Sequence, residues 1–349
     1  SMADVFFRSL DSLDVEIDYI ITNHAEQDHS GTLPKVKALY PESSVVCTEK
    51  CKTMLIDLGL AKSNEILVVE DGETLSLGDR TLEFIHAPWV HWPETMLTHL
   101  QEDQILFPCD LFGSHLATTN LYGKGERNLY VSAKRYYAEI MMPFRRIIKN
   151  HLEKLKEYDI SLIAPSHGPI YDDPDFILDA YHDWVSSPPK NIVVLPFISM
   201  HGSTRKMVDY LIEVLVERGV KVEPFNMEVA DIGELAMSLV DAATIVIGSP
   251  TFLVGPHPNI AYAAYLANAL RPKTEYISIV GSYGWGGKMV ERLAEMTSLI
   301  KAEILDPVLV KGDPGEEDYA ALEDLADAIA NAHAGLERSE EHTSELQSP

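Results

Sequence analysis

The stretch His24-Ala25-Glu26-Gln27-Asp28-His29-Ser30-Gly31 stands directly after the apolar run Ile17-Asp18-Tyr19-Ile20-Ile21. Four potential metal ligands, His24, Glu26, Asp28 and His29, fall within six positions. A strand that ends in such a loop points several donor groups at one small volume, and carboxylate with imidazole suits iron, manganese or zinc. The plain alternative is a polar loop between a strand and a helix. Partner ligands that recur downstream in similar settings weigh against it.

Those partners stand at further predicted strand ends. His91 lies in Pro88-Trp89-Val90-His91-Trp92-Pro93, Asp110 in Leu106-Phe107-Pro108-Cys109-Asp110, and His167 in Ala164-Pro165-Ser166-His167-Gly168. Taken singly, each reads equally well as a buried, hydrogen-bonded side chain. Together with the first loop they make four histidines and three carboxylates. That is enough for two metals, each with two histidines and one terminal carboxylate, sharing a bridging carboxylate. A carboxylate between two cations lets them approach to about 3.5–4 Å, the spacing of two-metal chemistry.

The 349 residues suggest about two domains. The longest apolar runs are strand-sized, so no membrane span is expected. The acidic start Ser1-Met2-Ala3-Asp4 with no apolar run after it reads as no signal peptide. Three cysteines, Cys47, Cys51 and Cys109, make no disulfide framework and are too few for a cysteine-held cluster. A cytoplasmic, reducing compartment is therefore expected. The formal charge of −26 disfavours a nucleic-acid partner.

Residues 132 to 156 read as helical with a break at Pro143, and Ser30, Thr32 and Thr48 are candidate helix caps. Ser186-Ser187-Pro188-Pro189-Lys190 reads as a linker. After it the pattern becomes regular strand–helix alternation, the pattern of a doubly wound parallel sheet. Its first strand ends at Pro196 and leads into Ser199-Met200-His201-Gly202-Ser203-Thr204. Hydroxyls and backbone N–H groups at a helix start form a phosphate nest. The spacing is neither the dinucleotide fingerprint nor a Walker A loop. Two further loops follow strands: Gly248-Ser249-Pro250-Thr251-Phe252-Leu253-Val254-Gly255, and Gly281-Ser282-Tyr283-Gly284-Trp285-Gly286-Gly287.

The first half of this layout resembles the metallo-β-lactamase-like fold, whose hydrolases carry an H-x-H-x-D-H loop and zinc. Here Glu26 replaces the second motif histidine, and a harder oxygen ligand moves preference toward iron. His24-x-Glu26-x-Asp28-His29 followed by His91, Asp110 and His167 resembles the flavodiiron proteins, also called A-type flavoproteins. The resemblance implies that His24, Glu26 and His91 hold one iron, that Asp28, His29 and His167 hold the other, and that Asp110 bridges. The loop Ser199–Thr204 is similar to the flavodoxin phosphate loop for FMN. The resemblance places Pro250, Thr251, Phe252, Leu253 and Gly255, with Ser282, Tyr283, Gly284, Trp285 and Gly286, beside the isoalloxazine ring.

The implied fold class is α/β: a metallo-β-lactamase-like αββα domain, N-terminally incomplete, followed by a flavodoxin-like doubly wound parallel sheet. The expected domains are 1–187 for the diiron unit and 188–334 for the FMN unit. Residues 335–349 are expected to be a disordered, non-native tail, since 337–349 lack a periodic pattern and resemble a translated sequencing adapter. The resemblance further implies electron flow from F420H2 or rubredoxin through FMN to two Fe ions that reduce O2 to water or NO to N2O. Met200–Thr204 and Gly281–Trp285 resemble the methanogen members that oxidise F420H2. It also implies a head-to-tail homodimer or dimer of dimers, and no membrane partner. Two readings of other classes stand beside it: a zinc-dependent hydrolase fused to a flavodoxin domain, and an FMN-only electron carrier with a non-functional metal site.

Overall fold

The structure is a computed structural model that describes residues 2–185 and 188–346, with side chains as far as residue 336. Ser186 and Ser187 of the expected linker, and the last three residues of the expected tail, lie outside the described residues. Contacts divide the chain into two compact units. One takes the residues up to Tyr136 and Phe144–His182; the other takes Tyr137–Pro143 and the residues from Asp183 on.

In the first unit, β1 (Tyr19–Ile21), β2 (Ser44–Cys47) and β3 (Ile66–Val68) pair in parallel in that order. A second sheet runs β4 (Thr74–Ser76), β5 (Thr81–His86), β6 (Met96–Leu100), β7 (Ile105–Phe107) and β8 (Leu162–Ile163). It is antiparallel until its last pair, which is parallel. Side chains alternate faces along a strand, and β2 shows what each face is for. Val46 joins Leu82, Phe84 and Met96 of the second sheet in one buried cluster. Its neighbours Val45 and Cys47 face the other way, onto Leu33, Cys51 and Leu55. The last three belong to helices Leu33–Leu39 and Glu49–Asp57, so a helical layer covers the outer face of the first sheet.

Thr48 caps helix Glu49–Asp57 as expected, its hydroxyl accepting from the Cys51 N–H at 3.1 Å. Thr32 sits at the N-cap of Leu33–Leu39 without a side-chain cap bond. Ser30 is used elsewhere: its hydroxyl lies within donating reach of the carbonyls of Ala25 (2.7 Å) and Glu26 (3.0 Å), and so pins the ligand loop. The helical stretch around Pro143 resolves into Leu129–Tyr136, a π-helical turn Tyr137–Met141, a 3-10 turn Met142–Phe144, and Arg145–Leu155. Proline has no N–H to donate, so the regular ladder cannot run through it.

The second unit is built on β9 (Lys190–Phe197), β10 (Lys221–Asn226), β11 (Ala242–Phe252), β12 (Gly255–Pro256), β13 (Tyr276–Tyr283), β14 (Glu303–Ile304) and β15 (Val308–Lys311). The parallel order is β10-β9-β11-β13-β14, with β15 also on β13 and β12 turned back on β11. This is the flavodoxin order, whose strand sequence reverses between the first and third strands. Val193, Leu195, Phe197, Val246 and Val280 pack on Leu211 and Leu215 of helix Ser203–Glu217, and on Leu322 and Ile329 of helix Glu316–Leu346. That last helix runs to Leu346, whereas the sequence suggests a disordered tail from 335. The stretch is rich in glutamate, and proline comes only at Pro349, so nothing stops the helix earlier. Among the described residues no helix is long and apolar enough to cross a membrane.

Two features of this unit are open to measurement. Gly281 pairs with Ser249 across β13 and β11. A Cβ there would run into the Ser249 carbonyl oxygen and lie 2.6 Å from Met289 Cε. Gly281→Ala should therefore cost about 2 kcal/mol or more in chemical unfolding of this unit; an unchanged midpoint would remove the argument. His333, only 1% exposed, bonds Thr244 Oγ1 (2.7 Å) and Asn191 Oδ1 (2.8 Å). Burial pushes its pKa down to about 4 from 6.5. Because the folded value is the lower one, the unfolded chain takes the proton first as the pH falls. Its contribution is whole above pH 6.5 and lost toward pH 4, by about 3 kcal/mol at most. The stability difference between wild type and His333→Gln should shrink over that range, and a constant difference would contradict this.

Candidate metal centre

Four loops bring the donors together, each leaving the end of a strand. The loop after β1 carries His24, Glu26, Asp28 and His29; the loop after β5 carries His91; β7 leads to Asp110 and β8 to His167. Asn23 ties three neighbours at once. Its Nδ2 donates to the Phe107 carbonyl (3.1 Å), its Oδ1 accepts from Thr98 Oγ1 (2.7 Å), and its carbonyl accepts the Met96 N–H (3.0 Å). The last two loops are joined by Ser166 N–H to Cys109 O (2.8 Å) and Ser114 N–H to His167 O (2.9 Å). Gly168 has φ 93°, and a Cβ there would clash with Ser114, so only glycine closes this turn.

All seven expected ligands meet. His24 Nε2 lies 3.2 Å from Glu26 Oε2 and 3.4 Å from Asp110 Oδ2. His91 Nε2 lies 3.3 Å from each of the same two oxygens. On the other side His29 Nε2 is 3.0 Å from Asp110 Oδ1 and 3.5 Å from Asp28 Oδ1. His167 Nε2 is 3.2 Å from Asp110 Oδ1 and 3.3 Å from Asp28 Oδ2. The two oxygens of Asp110 therefore face two separate donor sets. Donors spaced in this way match the edges of a coordination shell, since ligands about 2.1 Å from one ion stand about 3.0–3.4 Å apart. His24, Glu26, His91 and Asp110 form one group able to hold a cation, and Asp28, His29 and His167 another.

The electrostatics agree with such a task. Burial disfavours charge on Asp110, yet His167, His29 and His91 around it hold its carboxyl well below the usual carboxylate range. Burial likewise opposes protonation of His29, but Asp110 and Cys109 outweigh it and push the imidazole up to about 11. A cluster that would grip protons so firmly is one where a cation can take their place.

Four residues in this centre escaped sequence reasoning. Glu94, 2% exposed, accepts from His24 Nδ1 at 2.7 Å and from the Ala25 N–H at 3.0 Å. Tyr136 Oη donates to Asp110 Oδ1 at 3.1 Å, and burial raises the phenol pKa, keeping it protonated. Cys109 Sγ lies 3.9 Å from His29 Nδ1. Trp92 stands edge-on to His24 with ring centres 5.0 Å apart. The one readable signal was Glu94, an acidic residue between a ligand loop and the apolar strand Met96–Leu100.

The expected flavin loops lie in the second unit, at the C-terminal ends of the neighbouring strands β9, β11 and β13. Ser199 Oγ accepts from the N–H groups of Gly202 and Arg205, both at 3.2 Å, shaping the turn into helix Ser203–Glu217. Thr204 Oγ1 and Ser282 Oγ are 2.9 Å apart, joining the first loop to the third. Pro250 pairs with Ser282 in register, and Thr251 and Phe252 turn into the β11–β12 hairpin through Gly255. Met200, Leu253 and Trp285 are exposed, and His201, Tyr283, Gly284 and Gly286 lie in the same first and third loops. The N–H groups of Ser203 and Thr204 open the helix with no helical carbonyl within reach, so the loop can take a phosphate.

Comparison with known proteins places the chain. Residues 4–168 match the family model described as ODP family beta lactamase. A nitric oxide reductase of Moorella thermoacetica is 34% identical over 323 residues, covering 90% of this chain and 81% of that protein. A coenzyme F420H(2) oxidase of Methanothermobacter marburgensis is 34% identical over 293 residues, covering 80% and 72%. Among solved structures, the rubredoxin oxygen:oxidoreductase of Desulfovibrio gigas superposes with a TM-score of 0.87 at 29% identity, over 91% of this chain and 82% of that one. The flavodiiron protein of Giardia intestinalis gives the same TM-score at 28% identity, over 95% and 85%. With a metallo-β-lactamase-like unit that gathers two donor sets on one carboxylate, and a flavodoxin-ordered unit after it, the chain belongs to the flavodiiron proteins, a family of oxidoreductases.

Proposed function

We propose that the chain uses FMN and two Fe ions to reduce O2, NO or both, taking electrons from F420H2 or rubredoxin. The observation that carries the reading is Asp110, whose two oxygens face two donor sets, with the oxygen donor Glu26 at the corner where the zinc hydrolases of this fold carry a histidine. In this reading His24, Glu26 and His91 hold one iron, Asp28, His29 and His167 hold the other, and Asp110 bridges them. Ser199, Met200, His201, Gly202, Ser203 and Thr204 hold the FMN phosphate, and the loops Pro250–Gly255 and Ser282–Gly286 receive its ring. Held there, the iron pair would supply the site for binding and reduction of the diatomic substrate, and FMN would supply single-electron transfer.

The remaining work falls to the chain. O2 consumes four electrons and four protons to give two waters; two NO consume two of each to give N2O and one water. Tyr136 Oη, protonated and 3.1 Å from Asp110 Oδ1, carries a proton beside the bridging carboxylate without being one of the ligands. Trp92 and Phe144, with ring centres 5.0 Å from His24 and 6.4 Å from His91, stand beside the histidines of the first donor set. The relatives whose names mention nitric oxide, F420H2 and rubredoxin support the substrate and donor classes. The spelling of Met200–Thr204 and Gly281–Trp285 favours F420H2 as donor. A head-to-tail dimer, or a dimer of dimers, belongs to the same reading.

Anaerobically purified protein should contain about two irons and about one FMN per chain and consume O2 or NO when FMN is reduced. Zinc in place of iron, without turnover, would return the chain to the hydrolases; FMN alone would make it a carrier. Asp110→Ala should empty both metal positions, while His91→Ala should lower metal content by about one ion per chain. Equal loss in the two variants would contradict the assignment of Asp110 as the shared ligand. A chain that is monomeric in solution yet fully active would contradict the dimer.

A further inference from the structure

His24 differs from the other three histidines of the centre in what stands behind its ring. Its Nδ1 meets Glu94 Oε1 at 2.7 Å, and both side chains are fully shielded from solvent. The same oxygen accepts the Ala25 N–H at 3.0 Å, and the Glu94 carbonyl accepts from Thr48 Oγ1 at 2.9 Å. The carboxylate is thus fixed through both its side chain and its backbone. Oε2 has no partner, so the bonds of this buried group are concentrated on Oε1.

Behind His29 the arrangement is weaker. Its Nδ1 faces the Cys109 thiol at 3.9 Å, and that sulfur also accepts from Ser166 Oγ at 3.6 Å. Among the described residues no carboxylate reaches the far nitrogen of His29, His91 or His167, because their contacts with acidic groups all run through Nε2. Exposure leans the same way for most members. The Asp28, His167 and His29 side chains are 52%, 26% and 13% exposed, against 39%, 17% and 0% for Glu26, His91 and His24.

A carboxylate that accepts the Nδ1 proton fixes the tautomer, restrains the ring and makes Nε2 a better donor to a metal. A thiol at the edge of hydrogen-bond range does far less of each. We propose that Glu94 is a positioning residue that makes the two metal positions unequal: the ion on His24, Glu26 and His91 binds more tightly and leaves later than the ion on Asp28, His29 and His167. The inference rests on the two-metal reading and adds to it an order of filling and loss. A chain short of metal would hold its single ion on the Glu94 side.

The test is anaerobic transfer of ferrous iron from the holoprotein to a chromogenic chelator, followed by absorbance. Wild type should release iron in two phases of equal amplitude. Glu94→Gln keeps an acceptor for His24 and removes the charge. It should speed the slow phase by about 10–100-fold and leave the fast phase unchanged. Glu94→Asp, which restores the charge on a shorter arm, should recover part of the difference and serves alone if the glutamine variant does not fold. FMN content and far-UV circular dichroism separate a local effect from a loosened fold. A slow phase unmoved by either variant, or two phases accelerated alike, overturns the inference. Two irons leaving wild type in one phase overturn it as well. A wild-type chain that takes up no pair of ions overturns the two-metal reading too, so the two failures are distinguishable.

Discussion

A buried carboxylate surrounded by four imidazoles is the constraint on which the first unit depends. Asp110 is 1% exposed, and four Nε2 atoms stand 3.0–3.4 Å from its two oxygens. An isolated charge in such a place would cost several kcal/mol. It is tolerated because positive charge, as protons or as metal ions, is always close. The surrounding structure serves that closeness. Cys109 takes a left-handed backbone conformation at φ 55° on the way from β7 to Asp110, Asn23 ties the first loop to β7, and Ser114 holds the loop of His167. The second strand of the first sheet, greasy on both faces, gives these loops a rigid base.

The second unit meets a different demand with a different device. In the proposed reading a flavin needs a phosphate seat and a surface for its ring, and loops suited to both leave the ends of neighbouring parallel strands where their order reverses. The bond between Thr204 and Ser282 links the phosphate loop to a ring loop, and the tight packing of Gly281 on Ser249 sets how closely β13 approaches β11 at that end. Both units thus carry their candidate site residues on loops at strand ends.

Much of this was legible in the sequence, because ligand spacing and strand–helix alternation are local properties. His24, Glu26, Asp28 and His29 follow an apolar strand, and the three downstream candidates also stand at strand ends, so the set of donors that the fold gathers could be read before any fold was known. Glu26 separated the chain from its hydrolase cousins on donor chemistry alone. Glu94, Tyr136 and Cys109 were not legible in the same way. Each gains its meaning from a partner 70, 26 or 80 residues away, and only the folded chain supplies that pairing. The serine at the end of the ligand loop misled for a related reason. Ser30 looked like a cap because its hydroxyl suits one, but the carbonyls of Ala25 and Glu26 claim it first. The helix from Glu316 runs past the point where the sequence pattern fades, since helix propensity does not need a periodic apolar pattern.

The central claim is that one carboxylate separates two iron ions. Anomalous X-ray diffraction from crystals of the anaerobically prepared protein, collected on either side of the iron absorption edge, tests it most directly. The account predicts two iron peaks about 3.5–4 Å apart with Asp110 between them, one beside Glu26 and the other beside Asp28. A single peak, or a zinc edge in place of the iron edge, would contradict it.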